Sequence, residues 1–298
     1  MAGNFAVPVT EYCFMLIEHA YRDDKELRDS FNELAGKTFG LSFEGWYQSG
    51  FWKDGYDPYS VIEDGKVVAN VSVNRCDMNY KGKTVHLIQL GTVMTDPDYR
   101  GKGYARLLME RVMEDIKDAD GIYLYGNDSV AEFYPKFGFT ESKEYCFSKD
   151  VKIAGDRYAQ AVPMSNKEDW DKMVNILSET AQNADMYMVN NTGLYMFYLS
   201  QFMQENTFYI PDLDTYVVAE IEDQELILHA VIGTGDIDKV IESFGKDITH
   251  VLLNFTPKDT AGYTKNEVIE EDSHFFVRGK FFEENKDSAF MFQSITHA

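Results

Sequence analysis

Two glycines and two cations stand together in Arg100-Gly101-Lys102-Gly103-Tyr104-Ala105, after an apolar run from Thr84 to Met94 and before an amphipathic helical pattern. Backbone amides at a helix start, freed by glycines and ringed by cations, form a seat for a phosphate-like anion. Pro97 and Asp98 close the strand, and the glycines let the chain turn tightly and approach a ligand closely. Arg100, Lys102 and Arg106 crowd the helix start, while Glu114, Asp115, Asp118 and Asp120 crowd its end. That is the reverse of what the helix dipole favours, and a bound pyrophosphate would remove the conflict. A second cluster, Phe133-Tyr134-Pro135-Lys136-Phe137-Gly138-Phe139, follows after Asn127-Asp128-Ser129, which offers cap chemistry for a short helix. The P-loop pattern GxxxxGK[ST] and the dinucleotide pattern GxGxxG are both absent, which excludes those two phosphate-binding designs.

Taken together, the RxxGxG/A turn and the Phe-Tyr…Gly-Phe segment resemble the signature of the GCN5-related N-acetyltransferase (GNAT) superfamily. The resemblance covers the first half of the chain, best over residues 84–139, and the second half loosely. It implies acetyl-CoA as co-substrate and no metal. It also implies that the backbone of Val93, Met94 and Thr95 pairs with the pantetheine arm as if it were an extra strand. Amides from Arg100, Gly101, Lys102, Gly103, Tyr104 and Ala105 would hold the pyrophosphate. Asn127 matches a position that contacts the cofactor arm, and Tyr134 the position that protonates the departing thiolate.

Moving an acetyl group from a thioester to an amine needs a neutral amine, a polarised carbonyl and a proton for sulfur. A phenol such as Tyr134 suits the last task because it keeps its proton at neutral pH. No base is evident: Ile122-Tyr123-Leu124-Tyr125 holds no acid, and the preceding strand offers only His86 and Gln89. A packed or rim position is the plainer reading of His86, and a water chain is the other route for the proton. Aromatics and carboxylates from Trp46 to Tyr59 offer either an ammonium pocket or an aromatic core under a loop.

The elements that must position these groups follow from periodicity. Helices are expected around 10–20, 24–36 and 42–50. A hairpin turning at Glu63-Asp64-Gly65-Lys66 joins strands from Tyr59 and to Val73, and a second turns at Asn79-Tyr80-Lys81-Gly82. A strand over Val85 to Met94, a helix from Gly103 to Lys117, a strand from Ile122 to Tyr125, a short helix ending near Gly138 and a strand or strand pair over Phe139 to Lys149 complete the first half. From about Met164 the order repeats: helices at 165–181 and 193–206, strands Thr215 to Ile221 and Leu226 to Ile232, a helix from Asp236 to Phe244, a strand from Ile248 to Phe255, and apolar runs near 275–282 and 289–293. The expected fold is α+β with mixed sheets: a GNAT domain over 1–150 and a degenerate GNAT-like domain over 151–298, with an unrelated α+β accessory domain as the alternative for the second half. The equivalent second loop, Gly233-Thr234-Gly235-Asp236-Ile237-Asp238, carries acids where cations are wanted, so this half is expected to bind no CoA and to pack on the first.

Composition bounds the partners. The chain has 298 residues, 50 acids against 28 bases and a formal net charge of -22. Such a surface repels nucleic acid and anionic membrane and favours cationic small molecules or peptides, although solubility alone is the plainer reading. Cys13, Cys76 and Cys146 show no metal or redox spacing, no secretory pattern opens the chain and no apolar run is membrane-length, so a cytoplasmic protein is expected. The expected activity is direct transfer from acetyl-CoA to a primary amine. The rivals are a catalytically silent acyl-CoA-binding regulator and transfer of a longer acyl chain. The oligomeric state is left open.

Overall fold

A computed structural model describes residues 16–297. The first half runs β1 (Leu16–Glu18), α1 (Lys25–Phe39), α2 (Glu44–Gln48), β2 (Tyr56–Glu63), β3 (Lys66–Tyr80), β4 (Lys83–Thr95), α3 (Tyr104–Asp115), β5 (Gly121–Gly126), β6 (Thr140–Ser142) and β7 (Tyr145–Asp150). The second half runs β8 (Gln160–Ala161), α4 (Lys167–Glu179), β9 (Met186–Val189), α5 (Thr192–Leu199), β10 (Thr207–Ile210), β11 (Thr215–Glu222), β12 (Glu225–Ile232), α6 (Ile237–Glu242), β13 (His250–Leu253), β14 (Thr264–Glu267), β15 (His274–Arg278) and α7 (Lys280–Glu284).

Local chemistry accounts for the clearest boundaries. Asp24 caps α1 by accepting from the amides of Glu26 and Leu27, and Gly40 ends it in the left-handed region at φ 70°. Asp64 and Gly65 take φ 49° and 75°, and Lys81 and Gly82 take 50° and 81°. Two positive values in a row make the tight hairpin turn that matches strand twist.

Two mixed sheets result. The first has the order β1-β2-β3-β4-β5-β15-β6, with β9 added beside the far end of β3; the second has the order β14-β7-β13-β12-β11-β10-β8. Each contains a hairpin, a helix and a strand parallel to the hairpin's last strand: β4 with β5 around α3, and β12 with β13 around α6. In both sheets the next strand belongs to the other half. β15 lies against β5 and β6, and β7 lies against β13 and β14. The expected division at residue 150 therefore falls at the end of a strand that serves the second sheet. This is an uneven exchange: the first half gives β7 to the second sheet, and the second half gives β15 and β9 to the first.

One face of the first sheet (Val71, Val73, Ile88, Leu90, Ile122, Leu124) buries against Leu108, Met109 and Val112 of α3. The other face (Cys76, Met78, Leu87, Tyr123) packs on the aromatic cluster of α1, α2 and α5 and on the C-terminal segment. A third core fills the second sheet around Val240, Ile241, Phe244 and Phe255.

Three expectations are corrected. The helix expected over 10–20 is a strand at Leu16–Glu18, because Leu16 and Ile17 pair with Ile62 and Val61; residues 10–15 lie outside the described residues. The run Phe139 to Lys149 breaks at 143–144 into strands of different sheets. The short helix near 127–138 is two separate 3-10 turns, Asp128–Val130 and Tyr134–Phe137. No helix among the described residues is long and apolar enough to cross a membrane.

Candidate active site

The site begins with a bulge. Asn70 pairs with Met94 and Ser72 with Gly91, so Thr92 and Val93 stand opposite the single residue Val71. Thr92 takes φ 47°, and the Asn70 side chain donates to its carbonyl oxygen at 2.8 Å. Its hydroxyl also meets the Tyr56 hydroxyl at 2.6 Å. Bulges bend and twist a strand away from its neighbour. Parallel pairing with β5 accordingly ends at Leu90 opposite Leu124, while β4 runs on to Thr95. Val93, Met94 and Thr95 therefore keep a strand edge facing the gap between β4 and β5, where an extended ligand can pair.

Beyond that edge lies the turn into α3. Gly101 and Gly103 take φ 78° and 84°, and a Cβ on either would meet nothing within 4 Å. Gly103 caps α3 without any side-chain acceptor. Among the described residues, no hydrogen-bond acceptor meets the amides of Gly101, Lys102, Gly103, Tyr104, Ala105 and Arg106. A helix start left in that state carries partial positive charge and attracts anions. The cations are not all aimed at it. Lys102 lies 3.6 Å from Glu63 and over the Tyr99 ring, Arg106 pairs with Glu110 at 2.9 Å, and Arg100 Nε reaches the Thr95 carbonyl at 3.4 Å. Tyr104 donates its hydroxyl to Glu63.

Tyr134 sits beside the end of β5, where Gly126 makes room for it: a Cβ there would lie 2.7 Å from the ring. Phe133, Phe139 and Phe276 brace the ring, the last from the exchanged strand β15. Burial pushes the phenol up to about 12. Among the described residues its hydroxyl has no hydrogen-bond partner. Asn127 is in part committed to its own turn, accepting from the Ser129 amide at 3.1 Å and hydroxyl at 2.6 Å.

The base candidates fare differently. His86 is exposed and binds Asp77 at 2.8 Å, which raises its affinity for a proton, but it stands on the early part of β4 away from the bulge. Gln89 is fully buried between Asn74 and Tyr123 with both amide atoms unpartnered. Trp46, Trp52 and Tyr56 are core residues, with Trp46 donating to Gly193 and Trp52 to Tyr56. Asp54 pairs with Arg22, and Asp57 accepts from Ala20. The aromatic-core reading of that segment is the one the geometry favours.

Two cavities open on the sheet face opposite α3. One, of about 180 Å³, is aromatic and is bounded by Phe43, Trp46, Tyr56, Thr92, Phe197 and His297. The other, of about 520 Å³, is lined by Tyr125, Glu141, Glu144, Glu267, Glu270 and His297 among others. They share His297, whose ring stacks on Tyr125 at 4.3 Å. The Tyr125 hydroxyl lies 2.8 Å from Glu144 Oε2 and 3.0 Å from His297 Nε2. Glu144 Oε1 accepts from the Phe292 amide at 2.7 Å. Burial pushes the Glu144 carboxyl up to about 7, opposed by the Phe292 amide and Tyr125, and holds His297 down to about 4. Tyr125, Glu144 and His297 were not singled out from the sequence. The contacts that gather them span 19 to 172 residues, and no local pattern encodes them.

A strand-edge cleft, a bulge and an open helix start therefore lie together, with a buried phenol at the end of β5. The acetyltransferase (GNAT) domain family model matches residues 20–142. No curated protein sequence matches the chain. Among solved structures, a probable N-acyltransferase of unknown function from Enterococcus faecalis V583 is 15% identical, covers 89% of this chain and 72% of its own, and superposes with a TM-score of 0.62. A GCN5-related N-acetyltransferase from Kribbella flavida is 15% identical, with 90% and 72% covered and a TM-score of 0.56. Eis1 from Mycobacterium abscessus is 11% identical, with 87% and 73% covered and a TM-score of 0.55. Residues 20–142 are thus similar to the acetyltransferase (GNAT) domain family, and the solved structures share the fold of the chain.

Proposed function

We propose that the protein transfers an acetyl group from acetyl-CoA directly to a primary amine of a cationic small molecule or peptide. In sequence terms the catalytic unit is 1–150 and the degenerate unit 151–298, the first lending β7 and the second lending β9 and β15. The observation that carries this reading is the pair formed by the open helix start at Gly101 to Arg106 and the unpaired edge at Val93 to Thr95. The first suits a diphosphate and the second the amides of a pantetheine arm, and a cofactor held so would carry its thioester near the bulge. An amide of that edge polarises the thioester carbonyl, and Tyr134 supplies the proton to sulfur. Asn127 keeps its Nδ2 group for the cofactor arm. The acids along the larger cavity and the net charge of -22 favour a cationic acceptor.

The test is an acetyl-CoA thermal shift followed by an amine panel (polyamines, aminoglycosides, peptide N-termini) read by free-thiol release. Stabilisation together with amine-dependent thiol release is the expected outcome. Stabilisation without turnover on any amine would leave a silent acyl-CoA binder, and no stabilisation would remove the cofactor seat from the reading.

A further inference from the structure

The reaction leaves one group to be found, the acceptor of the amine's proton. We propose that His297, Tyr125 and Glu144 form that proton-accepting arm, with His297 Nδ1 facing the amine and Glu144 as the final acceptor. The proposal rests on the acetyltransferase reading above. Its basis is a hydrogen-bonded row, Glu144 Oε2 to Tyr125 Oη at 2.8 Å and Tyr125 Oη to His297 Nε2 at 3.0 Å, ending at the wall of both cavities. Across the smaller cavity from His297 stands Thr92, the bulge residue next to Val93. His297 therefore borders the space into which the acetyl group would project, on the sheet face opposite Tyr134. Its Nδ1 has no partner among the described residues, and the Tyr198 hydroxyl donates to its carbonyl oxygen at 2.5 Å, holding the ring in place.

The hydrogen-bond directions are fixed from one end. The Phe292 amide donates to one oxygen of Glu144, and Tyr125 donates to the other. With its proton so used, the Tyr125 oxygen must accept from His297 Nε2–H, which leaves His297 Nδ1 as a lone-pair acceptor. When an ammonium gives its proton to Nδ1, the Nε2 proton moves to Tyr125 and the Tyr125 proton moves to Glu144. The freed amine attacks the thioester carbon, forming the C–N bond as the C–S bond breaks. The sulfur takes the proton of Tyr134, and the second nitrogen proton, lost as the intermediate collapses, restores that phenol. Once the amide has left, the row runs in reverse: Glu144 returns its proton to Tyr125, Tyr125 gives one to His297 Nε2, and Nδ1 gives its proton to water entering the smaller cavity. A carboxyl that changes charge near neutrality and an imidazole kept neutral match these duties. Other charged groups facing the row are Glu270 from the loop after β14 and, along the same cavity, Glu141, His274 and the Lys143–Glu267 pair.

Glu144→Gln tests the arm because its geometry forces a definite outcome. The Phe292 amide requires the amide oxygen, so the Gln NH2 faces Tyr125, the tyrosine turns its proton to His297 Nε2, and His297 must carry hydrogen on Nδ1. Nitrogen NMR of the His297 ring at pH 8 should show Nε2–H in the wild type and Nδ1–H in the variant. Maximal turnover should fall about 100-fold, with KM for acetyl-CoA nearly unchanged and the limb near pH 7 lost. Tyr125→Phe, which leaves Glu144 in place, should lose a comparable factor and guards against a variant that fails to fold. Wild-type turnover and pH profile in both variants, or an unchanged His297 tautomer in Glu144→Gln, overturns the arm. A wild type that binds acetyl-CoA yet acetylates no amine overturns the underlying reading, and the arm's role with it. Wild-type activity itself thus tells the two failures apart.

Discussion

The chain makes the same strand-to-helix turn twice and uses it in two ways. At Gly101 and Gly103 the space beside each glycine is open, and among the described residues the first helical amides have no acceptor. At Gly233 and Gly235 a Cβ would lie 2.7 and 2.6 Å from Thr215 Oγ1, and Asp236 accepts from the Lys239 amide at 3.1 Å. Asn183 donates to the Gly235 carbonyl as well. The second turn caps one amide of its helix start and packs shut, and α6 is only 6 residues long against 12 for α3. The lesson is that a glycine turn before a helix is a ligand seat only where the protein leaves the amides unanswered. Asp236 acts as an internal cap at the second turn, while Asp238 accepts from Lys149 and Tyr263.

Gly103→Glu should break the comparison most sharply. A carboxylate placed among the free amides should lower acetyl-CoA affinity by at least about 100-fold and erase the thermal shift, while the added side chain at φ 84° costs about 1 kcal/mol of stability. An undiminished shift would show that the first turn is as inert as the second. Tyr134→Phe should lower turnover by about 100-fold with acetyl-CoA affinity intact, measured by thiol release and calorimetry. Full activity would leave the first half without its distinguishing acid. Gly235→Ala is the converse experiment, expected to destabilise by about 2 kcal/mol in denaturant titration through its contact with Thr215 while acetyl-CoA affinity stays unchanged.

Where the halves meet, pH should sharpen the picture further. Glu144 binds its proton more tightly folded than unfolded, so its contribution to stability is present at acid pH and fades as pH rises toward about 7. His297 is depressed to about 4, so its contribution is lost as pH falls below the ordinary histidine range toward that value. The two slopes oppose each other. Melting curves between pH 4 and 7 should show stability falling with rising pH in His297→Phe and rising in Glu144→Gln, by on the order of 1–3 kcal/mol each. The smallest effect is expected for Lys102→Ala, about 3-fold in acetyl-CoA affinity, because Glu63 and Tyr99 already engage that ammonium. A much larger loss would mean that Lys102 swings to the ligand.

Much of this was legible because it is local. The Asp64-Gly65 and Lys81-Gly82 turns, the glycine turn before α3 and the apolar run of β4 each declare themselves within a few residues. The bulge at Thr92 did not, because it is held by Asn70 from the neighbouring strand. Strand ownership was hidden for the same reason. Val277 and Phe276 read as an apolar run, and nothing near them says that their partners are Tyr123 and Leu124 rather than a strand of their own half. The cluster of Tyr125, Glu144 and His297 needed the whole fold.

The exchanged strands also set a timetable for synthesis. A nascent chain that has just emerged through residue 150 has made the glycine turn before α3 but leaves β5 with an empty flank until residues 274–278 arrive. Long-range pairing of this kind is slow and leaves a sheet margin exposed meanwhile. Severing the gene between the halves would therefore yield two incomplete sheets, so neither half is a cassette that can be moved to another protein without carrying its counterpart's strand along.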